Sequence, residues 1–274
     1  MHEGPPPKQG QNALELALAK RDSTILRTVR EAIRHRQVML AFQPVVQARR
    51  QEATAFHEGL IRVLDETGRV VPAREFIETV EESEDGRILD CIALDQGLRE
   101  LEREPGLRLA VNMSARSIGY GDWLDTLTRG LRAGPTVAER LILEITESSA
   151  MMVPELVISF MDDLQARGVT FAMDDFGAGY TALRHFKQFS FDILKIDGLF
   201  IRGIAQDPDN QVMTTAIIEI ARQFDMFTVA ESVERAEDAQ LLTGIGIDCL
   251  QGFFFGAPTV SPAWRAPPSK HAHG

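Results

Sequence analysis

The sequence predicts an α/β fold, a (β/α)8 barrel in which one strand runs antiparallel to the rest. Three observations carry that expectation. Short apolar, strand-like runs alternate with longer segments of 3.6-residue periodicity, which implies a parallel sheet with helices packed outside it. Eight such runs favour a closed barrel over an open sheet, and 274 residues is near the roughly 250 of one such barrel. The first two runs are separated only by residues 47–52, too short a link for a parallel crossover, so one of that pair runs antiparallel.

Taken in order, residues 1–24 read as a tail and helical lead-in. The first dozen residues are polar and Pro-rich, and from Ala13 to His35 an interrupted apolar stripe (Leu14, Leu16, Leu18, Leu26, Val29 and Ile33) predicts a helix. The strand candidates are 38–46, 53–62, 107–112, 141–145, 169–174, 191–196, 227–230 and 249–254. Helical periodicity marks 88–103, 122–133, 153–167, 211–225 and 236–242. The barrel is expected over residues 25–258, followed by a Pro-rich tail at 259–274. Pro258, Pro262, Pro267 and Pro268 make the chain from Ala257 onward irregular. His271 and His273 read as tail residues rather than a metal site.

Composition narrows the function classes. Hydrophobic residues are 44% of the chain, enough for a sizeable core and against wholesale disorder. A formal net charge of -11 argues against duplex nucleic acid as a partner, since such binding depends on clustered Lys and Arg. It leaves a small anionic ligand open, because a bound metal inverts the local charge. Cys91 and Cys249 are far apart and form no CxxC, which argues against a disulfide framework or zinc knuckle and suits a reducing cytoplasm. The N-terminus lacks the apolar core of a signal peptide, and no run of about 18 apolar residues predicts a membrane span.

The informative pattern lies where the strand candidates end. Glu58 closes the apolar part of the second run, Asn112 ends "LRLAVN", Glu144 ends "LILE", and Asp174 and Asp175 end "FAMDD". Lys195 lies in "DILK", Glu231 follows "FTVA", and Gln251 follows "DCLQ". Any one of these is explained by a polar group capping a strand or helix. Seven consecutive strands ending this way point to a shared task at the C-terminal mouth of a barrel, where active sites sit. Glu58, Asn112, Glu144, Asp174, Asp175 and Glu231 offer only oxygen, which suits hard cations such as Mg2+ or Mn2+ and not structural zinc. Clustered carboxylates repel one another unless cations lie between them or protons are taken up. Two metals about 3.5–4 Å apart would let one carboxylate bridge them, an arrangement that adjacent Asp174 and Asp175 suit. Lys195 serves there as an ion-pair strut, as a water-orienting group, or to neutralise charge on a phosphoryl oxygen. Together these groups fit in-line phosphodiester cleavage better than proton abstraction or sugar chemistry. The glycines of "FGAGYTAL" let the backbone turn sharply after Asp175, as any β-to-α turn also requires.

In that order the residues resemble the EAL family of bacterial cyclic di-GMP phosphodiesterases. The matching stretches are "AFQPVV" (41–46), "EGLIR" (58–62), "VNMS" (111–114), "EITES" (144–148), "MDDFGAGYTAL" (173–183), "LKID" (194–197), "AESVE" (230–234) and "QGFFFG" (251–256). The resemblance implies a modified TIM barrel with an antiparallel first strand, and hydrolysis of cyclic di-GMP to linear pGpG. It implies that Glu58, Asn112, Glu144 and Asp174 hold one metal, and that Asp174, Asp175 and Glu231 hold a second. By the same resemblance Lys195 and Gln251 position the attacking water, and Glu147 braces the loop from Phe176 to Tyr180. Gln43 and Arg62 would contact the dinucleotide. A cytoplasmic protein that pairs as a homodimer is expected, with no GGDEF domain and too few leading residues for a sensor.

The chain departs from the family pattern in three places. Gly59 replaces the signature alanine, Ser232 stands where glycine is usual, and Glu84, Asp85 and Gly86 replace an apolar Gly-Leu-Ile. The last change bears on a helix start and the adjacent mouth loop. Two rivals remain: a barrel that binds cyclic di-GMP and signals without cleaving it, and a metal-dependent barrel enzyme acting on another substrate. Receptors of the first kind usually lack some metal-binding acids, whereas here every expected position is filled.

Overall fold

A hairpin opens the barrel. Strand β1 (Val38–Gln47) turns back through Ala48 and Arg49 into β2 (Arg50–Leu64), with Gln47 paired to Arg50. So short a turn can only join antiparallel strands. In the computed structural model, which describes residues 13–178 and 188–265, β2 then pairs in parallel with β4 (Leu109–Asn112). Parallel pairing continues through β5 (Leu141–Thr146), β6 (Thr170–Phe176), β7 (Ile193–Ile196), β8 (Phe227–Ala230) and β9 (Cys249–Gln251). β9 closes the ring against β1, antiparallel, with Val45 opposite Gln251. The order around the barrel is β1-β9-β8-β7-β6-β5-β4-β2, and β1 is the antiparallel strand.

A ninth strand, β3 (Val70–Pro72), pairs with β2 beyond the ring. It lies outside the eight expected, because three residues after the exposed Asp65–Arg69 turn carry no readable alternation. The last strand also stops at Gln251 rather than running to Phe254. Beyond Gln251 the chain packs on Val233: the Val233 amide donates to the Gln251 carbonyl, the Phe254 amide donates to the Val233 carbonyl, and a Cβ at Gly252 would lie 2.0 Å from that carbonyl oxygen.

Helices cover the outside. They are α1 (Ala13–Arg34), α2 (Ile77–Val80), α3 (Glu84–Arg103), α4 (Gly121–Leu131), α5 (Val137–Arg140), α6 (Glu147–Met152), α7 (Pro154–Gln165), α8 (Gly198–Ile201), α9 (Pro208–Gln223) and α10 (Ala236–Ile245). Local chemistry sets their ends. Asp207 accepts from the amides of Asp209 and Asn210, and Pro208 starts α9. α10 stops at Gly246, whose φ of 96° is left-handed. No helix among the described residues is long and apolar enough to cross a membrane. Cys91 and Cys249 are free thiols.

Side chains alternate across each strand, and that alternation builds the core in two shells. Outward residues such as Leu109, Leu143, Phe171, Met173 and Leu194 pack with Trp123, Phe160 and Leu242 in the main core. Inward residues form a separate plug of Val45, Phe56, Ala110, Ile142, Ala172, Ile193 and Val229 inside the barrel. Gly59 points outward, where a Cβ would lie 3.3 Å from both the Ala110 oxygen and Leu40 Cδ1. The alanine it replaces in the resemblance would therefore touch packing and not the mouth.

A third cluster seats the C-terminal half of α1 through Val29 and Ala32 on Val38, Val63, Val71, Phe76, Val80 and Leu89. The Glu84–Gly86 departure belongs to this contact. Glu84 and Asp85 occupy the first turn of α3, where the helix dipole favours acids, and Asp85 pairs with Arg30 of α1 at 2.8 Å. Gly86 sits so close to the end of α2 that a Cβ would lie 2.6 Å from the Val80 oxygen.

Beyond β9 the chain returns to β1. Thr259 exchanges backbone hydrogen bonds with Phe42, and Trp264 packs edge-on against Phe42 and His57. The Trp264 indole donates to Glu100 at 3.1 Å, and Arg265 pairs with the same carboxylate at 2.9 Å. Trp264→Ala is therefore expected to lower unfolding stability by about 2 kcal/mol, less than for a fully buried tryptophan because this one is only partly covered. A urea titration with an unchanged midpoint would show that the returning segment contributes nothing.

Candidate active site

The inner shell changes character two residues nearer the mouth. Above the apolar plug, the next inward position of each strand is Gln43, Glu58, Asn112, Glu144, Asp174, Lys195, Glu231 and Gln251. β1 runs the other way, so its mouth residue is Gln43, two before Val45. A strand period of two and a common register thus turn eight separate polar residues into one ring.

Lys195 lies at the centre of that ring. It is 0% exposed, and its ammonium is 2.8 Å from Glu231, 2.9 Å from Glu144, 3.0 Å from Asp174 and 3.4 Å from Glu58. Amides complete the set. Asn112 donates to Glu58 Oε1 at 2.9 Å, and Gln251 donates to Glu58 Oε2 at 2.5 Å and to Gln43 at 3.2 Å. Gln43 in turn donates to the Gly256 carbonyl at 3.0 Å, which ties the loop after β9 to β1.

Four carboxylates against one ammonium leave a buried excess of negative charge. Burial pushes the Lys195 amine down, but the four acids outweigh that and hold it well above its ordinary value. Burial and the neighbouring Glu58 carboxylate push Glu144 well up, and burial also drives Glu231 well up. Burial raises Glu58 too, yet Lys195 and the amides of Gln251 and Asn112 prevail, so its carboxyl stays below its usual range. The protons are shared unevenly because the charges cannot all coexist.

Asp175 adds a fifth acid by a backbone device. Between β6 and β7, Met173 pairs with Leu194 and Phe176 with Ile196, so β6 carries one extra residue in a bulge. Asp175 occupies it with φ 55°, the left-handed region that Asp tolerates better than most residues. The bulge aims two successive carboxylates at the mouth where a regular strand would divide them. Burial and the Asp174 charge raise the Asp175 carboxyl to about 6.

These residues fit divalent cations. Oxygens of Glu58, Glu144 and Asp174 lie within 4.8 Å of one another, as do those of Asp174, Asp175 and Glu231, and Asp174 is common to both groups. Glu144 Oε1 is buried without a hydrogen-bond partner among the described residues, an orphan that a cation would satisfy. Asn112 donates through nitrogen and so keeps its amide oxygen for coordination. The all-oxygen set suits a hard divalent cation.

Other expected residues take their places around this centre. Glu147 accepts from the Gly177 amide at 3.1 Å and so holds the start of the loop after β6. Tyr180, the far end of that loop, lies outside the described residues. The mouth opens into a pocket of about 390 Å3, bordered by Gln43, Glu58, Asp174, Glu231 and Gln251. Arg62 is not among its lining residues, and its guanidinium donates to the Ile61 carbonyl at 2.9 Å. The pocket's arginines are Arg74 and Arg202, joined by Ser232, Glu234 and an exposed Phe253. Sequence pattern missed both arginines because neither lies on a strand. Arg74 sits in a three-residue 3-10 turn after β3, and Arg202 caps the four-residue α8.

Comparisons with known proteins agree with this geometry. A family model described as EAL domain matches residues 26–258. The chain is 30% identical over 249 residues to the bifunctional diguanylate cyclase/cyclic di-GMP phosphodiesterase MucR of Pseudomonas aeruginosa, covering 88% of this chain and 36% of MucR. It is 28% identical over 255 residues to the cyclic di-GMP phosphodiesterase PdeF of Escherichia coli, covering 91% of this chain and 34% of PdeF. It thus spans about a third of the length of these relatives. Among solved structures, the PaMucR phosphodiesterase in complex with c-di-GMP aligns with TM-score 0.79 at 30% identity, covering 88% of this chain and 99% of that one.

The charge excess predicts a cation-dependent stability. A carboxyl whose folded value is raised keeps its proton in the folded chain while the unfolded chain loses it. Without divalent cations, stability should therefore fall as pH climbs from about 4 through the Asp175 value of about 6 and on into the range of Glu144 and Glu231. Magnesium or manganese binds the deprotonated acids, so it should raise the melting temperature more at about pH 8 than at about pH 5. Asp174→Asn, which enters both oxygen groups, should lose most of that rise. Equal cation shifts at both pH values would refute a carboxylate metal centre.

Proposed function

Since the chain belongs to the EAL domain family, we propose that it hydrolyses cyclic di-GMP to linear pGpG at the mouth of the barrel. The observation that supports this best is the pair of oxygen groups sharing Asp174 beneath an open pocket. Glu58, Asn112, Glu144 and Asp174 are the proposed ligands of one cation, and Asp174, Asp175 and Glu231 those of a second. Bound there, magnesium or manganese supplies Lewis-acid chemistry, acidifying water and offsetting charge on the phosphoryl oxygens.

The protein's own groups then have distinct tasks. Lys195, locked by four carboxylates, presents a fixed positive charge where phosphoryl charge develops, and needs no reorganisation to do so. Gln251 and Gln43 form an amide relay from Glu58 to the loop after β9, which keeps the Glu58 carboxylate in one rotamer and leaves the buried Gln251 Oε1 to accept from a water. Glu147 fixes the loop that follows Asp175. Arg62, two residues beyond Leu60 on the mouth face of β2, is a proposed contact for the dinucleotide, and Phe253 offers a flat apolar surface for a guanine. Attack by water on phosphorus breaks the P–O3′ bond. The 3′ oxygen leaves with a proton, and the phosphate stays on the 5′ side as in pGpG.

Purified protein incubated with cyclic di-GMP and magnesium should yield pGpG, resolved by chromatography. Glu58→Ala should cut turnover by more than about 100-fold, beyond the range seen when only a ligand's supporting partner is lost. Tight binding with no product at saturating magnesium and manganese would instead identify a receptor. Calcium as the sole divalent cation should suppress turnover, because it prefers more ligands and looser geometry than magnesium. Undiminished turnover in calcium would contradict the proposed site chemistry.

A further inference from the structure

Ser232 is held in the left-handed region at φ 56°, a conformation that disfavours any residue carrying a Cβ. It immediately follows Glu231 and borders the mouth pocket. Its hydroxyl accepts a hydrogen bond from Arg202 Nη2 at 3.0 Å. Room for both comes from Gly198, the first residue of α8. A Cβ there would lie 2.6 Å from Ser232 Oγ and 3.0 Å from Arg202 Cζ. Three positions, two at the ends of α8 and one just after β8, are thus interlocked to aim one guanidinium.

That guanidinium has no carboxylate partner among the described residues and keeps further N–H groups for an anion. Arg202 borders the pocket with Glu231 and Glu234, yet makes no salt bridge with any carboxylate among the described residues. Around the ring it also lies opposite the other two arginines. Arg62 and Arg74 belong to β2 and the turn that follows β3, whereas Arg202 follows β7, four strands away around the ring in either direction. A cyclic dinucleotide carries its two phosphodiesters on opposite sides of its ring. When one lies over the acids at the floor, the other faces the rim.

On the phosphodiesterase reading above, we propose that Arg202 binds the phosphodiester that is not cut, and that Ser232 is the residue that positions it. The strained backbone at Ser232 is retained for its hydroxyl. Glycine at this position would relieve the backbone but release the arginine.

Steady-state kinetics on cyclic di-GMP, paired with thermal melts, test this. Arg202→Ala should raise KM about tenfold with kcat within about twofold, the pattern of an interaction equal in ground and transition states and of the size of one charge-assisted hydrogen bond. Arg202→Lys should fall between, since it keeps the charge and loses the fork. Ser232→Gly should raise KM about threefold while the melting temperature rises, because glycine adopts this backbone freely. Ser232→Ala should raise KM equally with no gain in melting temperature. Ser232→Gly added to Arg202→Ala should change KM no further, as coupled positions require. Wild-type turnover with an unchanged KM in Arg202→Ala, or additive effects in the double variant, would overturn the assignment and leave the phosphodiesterase reading standing. Failure of the wild type to bind or cleave cyclic di-GMP would remove that reading and this one with it.

Discussion

The buried Lys195 ammonium, within 3.4 Å of four carboxylates, is the contact on which the barrel mouth depends. Carboxylates from β2, β5, β6 and β8 face a common centre, and their repulsion in a poorly solvated space would otherwise force them apart or into their protonated forms. One central cation makes their convergence tolerable but does not neutralise it. The remaining negative charge is what a divalent cation would offset. The same balance explains why Glu58 is held low while Glu144 and Glu231 are pushed up: of these three carboxylates, Glu58 is the one that accepts from the amides of Asn112 and Gln251.

The fold supports this centre by layering. The apolar plug of Phe56, Ala110, Ile142, Ala172, Ile193 and Val229 closes the barrel below the polar ring. It keeps water from the underside and holds the strand register that brings the polar positions level. A one-residue slip of any strand would send its mouth residue into the outer core. The β6 bulge is the one place where the regular alternation is broken, and it adds a second carboxylate to the site.

Features at the rim show how sequence departures can be absorbed without touching the centre. The acidic Glu84 and Asp85 serve the start of α3 and the Arg30 contact, and Gly86 permits the close approach of α2. None of the three borders the mouth pocket. Ser232, by contrast, borders it directly, with a left-handed backbone and a hydroxyl that accepts from a pocket arginine.

Local pattern was enough to read the eight-strand α/β barrel, its antiparallel hairpin and the polar residue at each strand end. These follow from period, link length and residue type, which are properties of short stretches of chain. Three of the eight strand expectations, those for β4, β7 and β9, are nonetheless longer than the strands themselves, because residue type continues past the positions where the ladder pairs. What only the tertiary structure decided is which side chains meet. The centring of Lys195 among four acids, the sharing of Asp174 by two oxygen groups and the Arg202–Ser232 contact all join residues distant in sequence. Nothing in the chain near Arg74 or Arg202 marks them for the mouth, since each lies in a short turn with no periodic signal. Their placement depends on how loops from opposite walls fold over a closed ring, and ring closure is a long-range constraint that no local stretch of sequence contains.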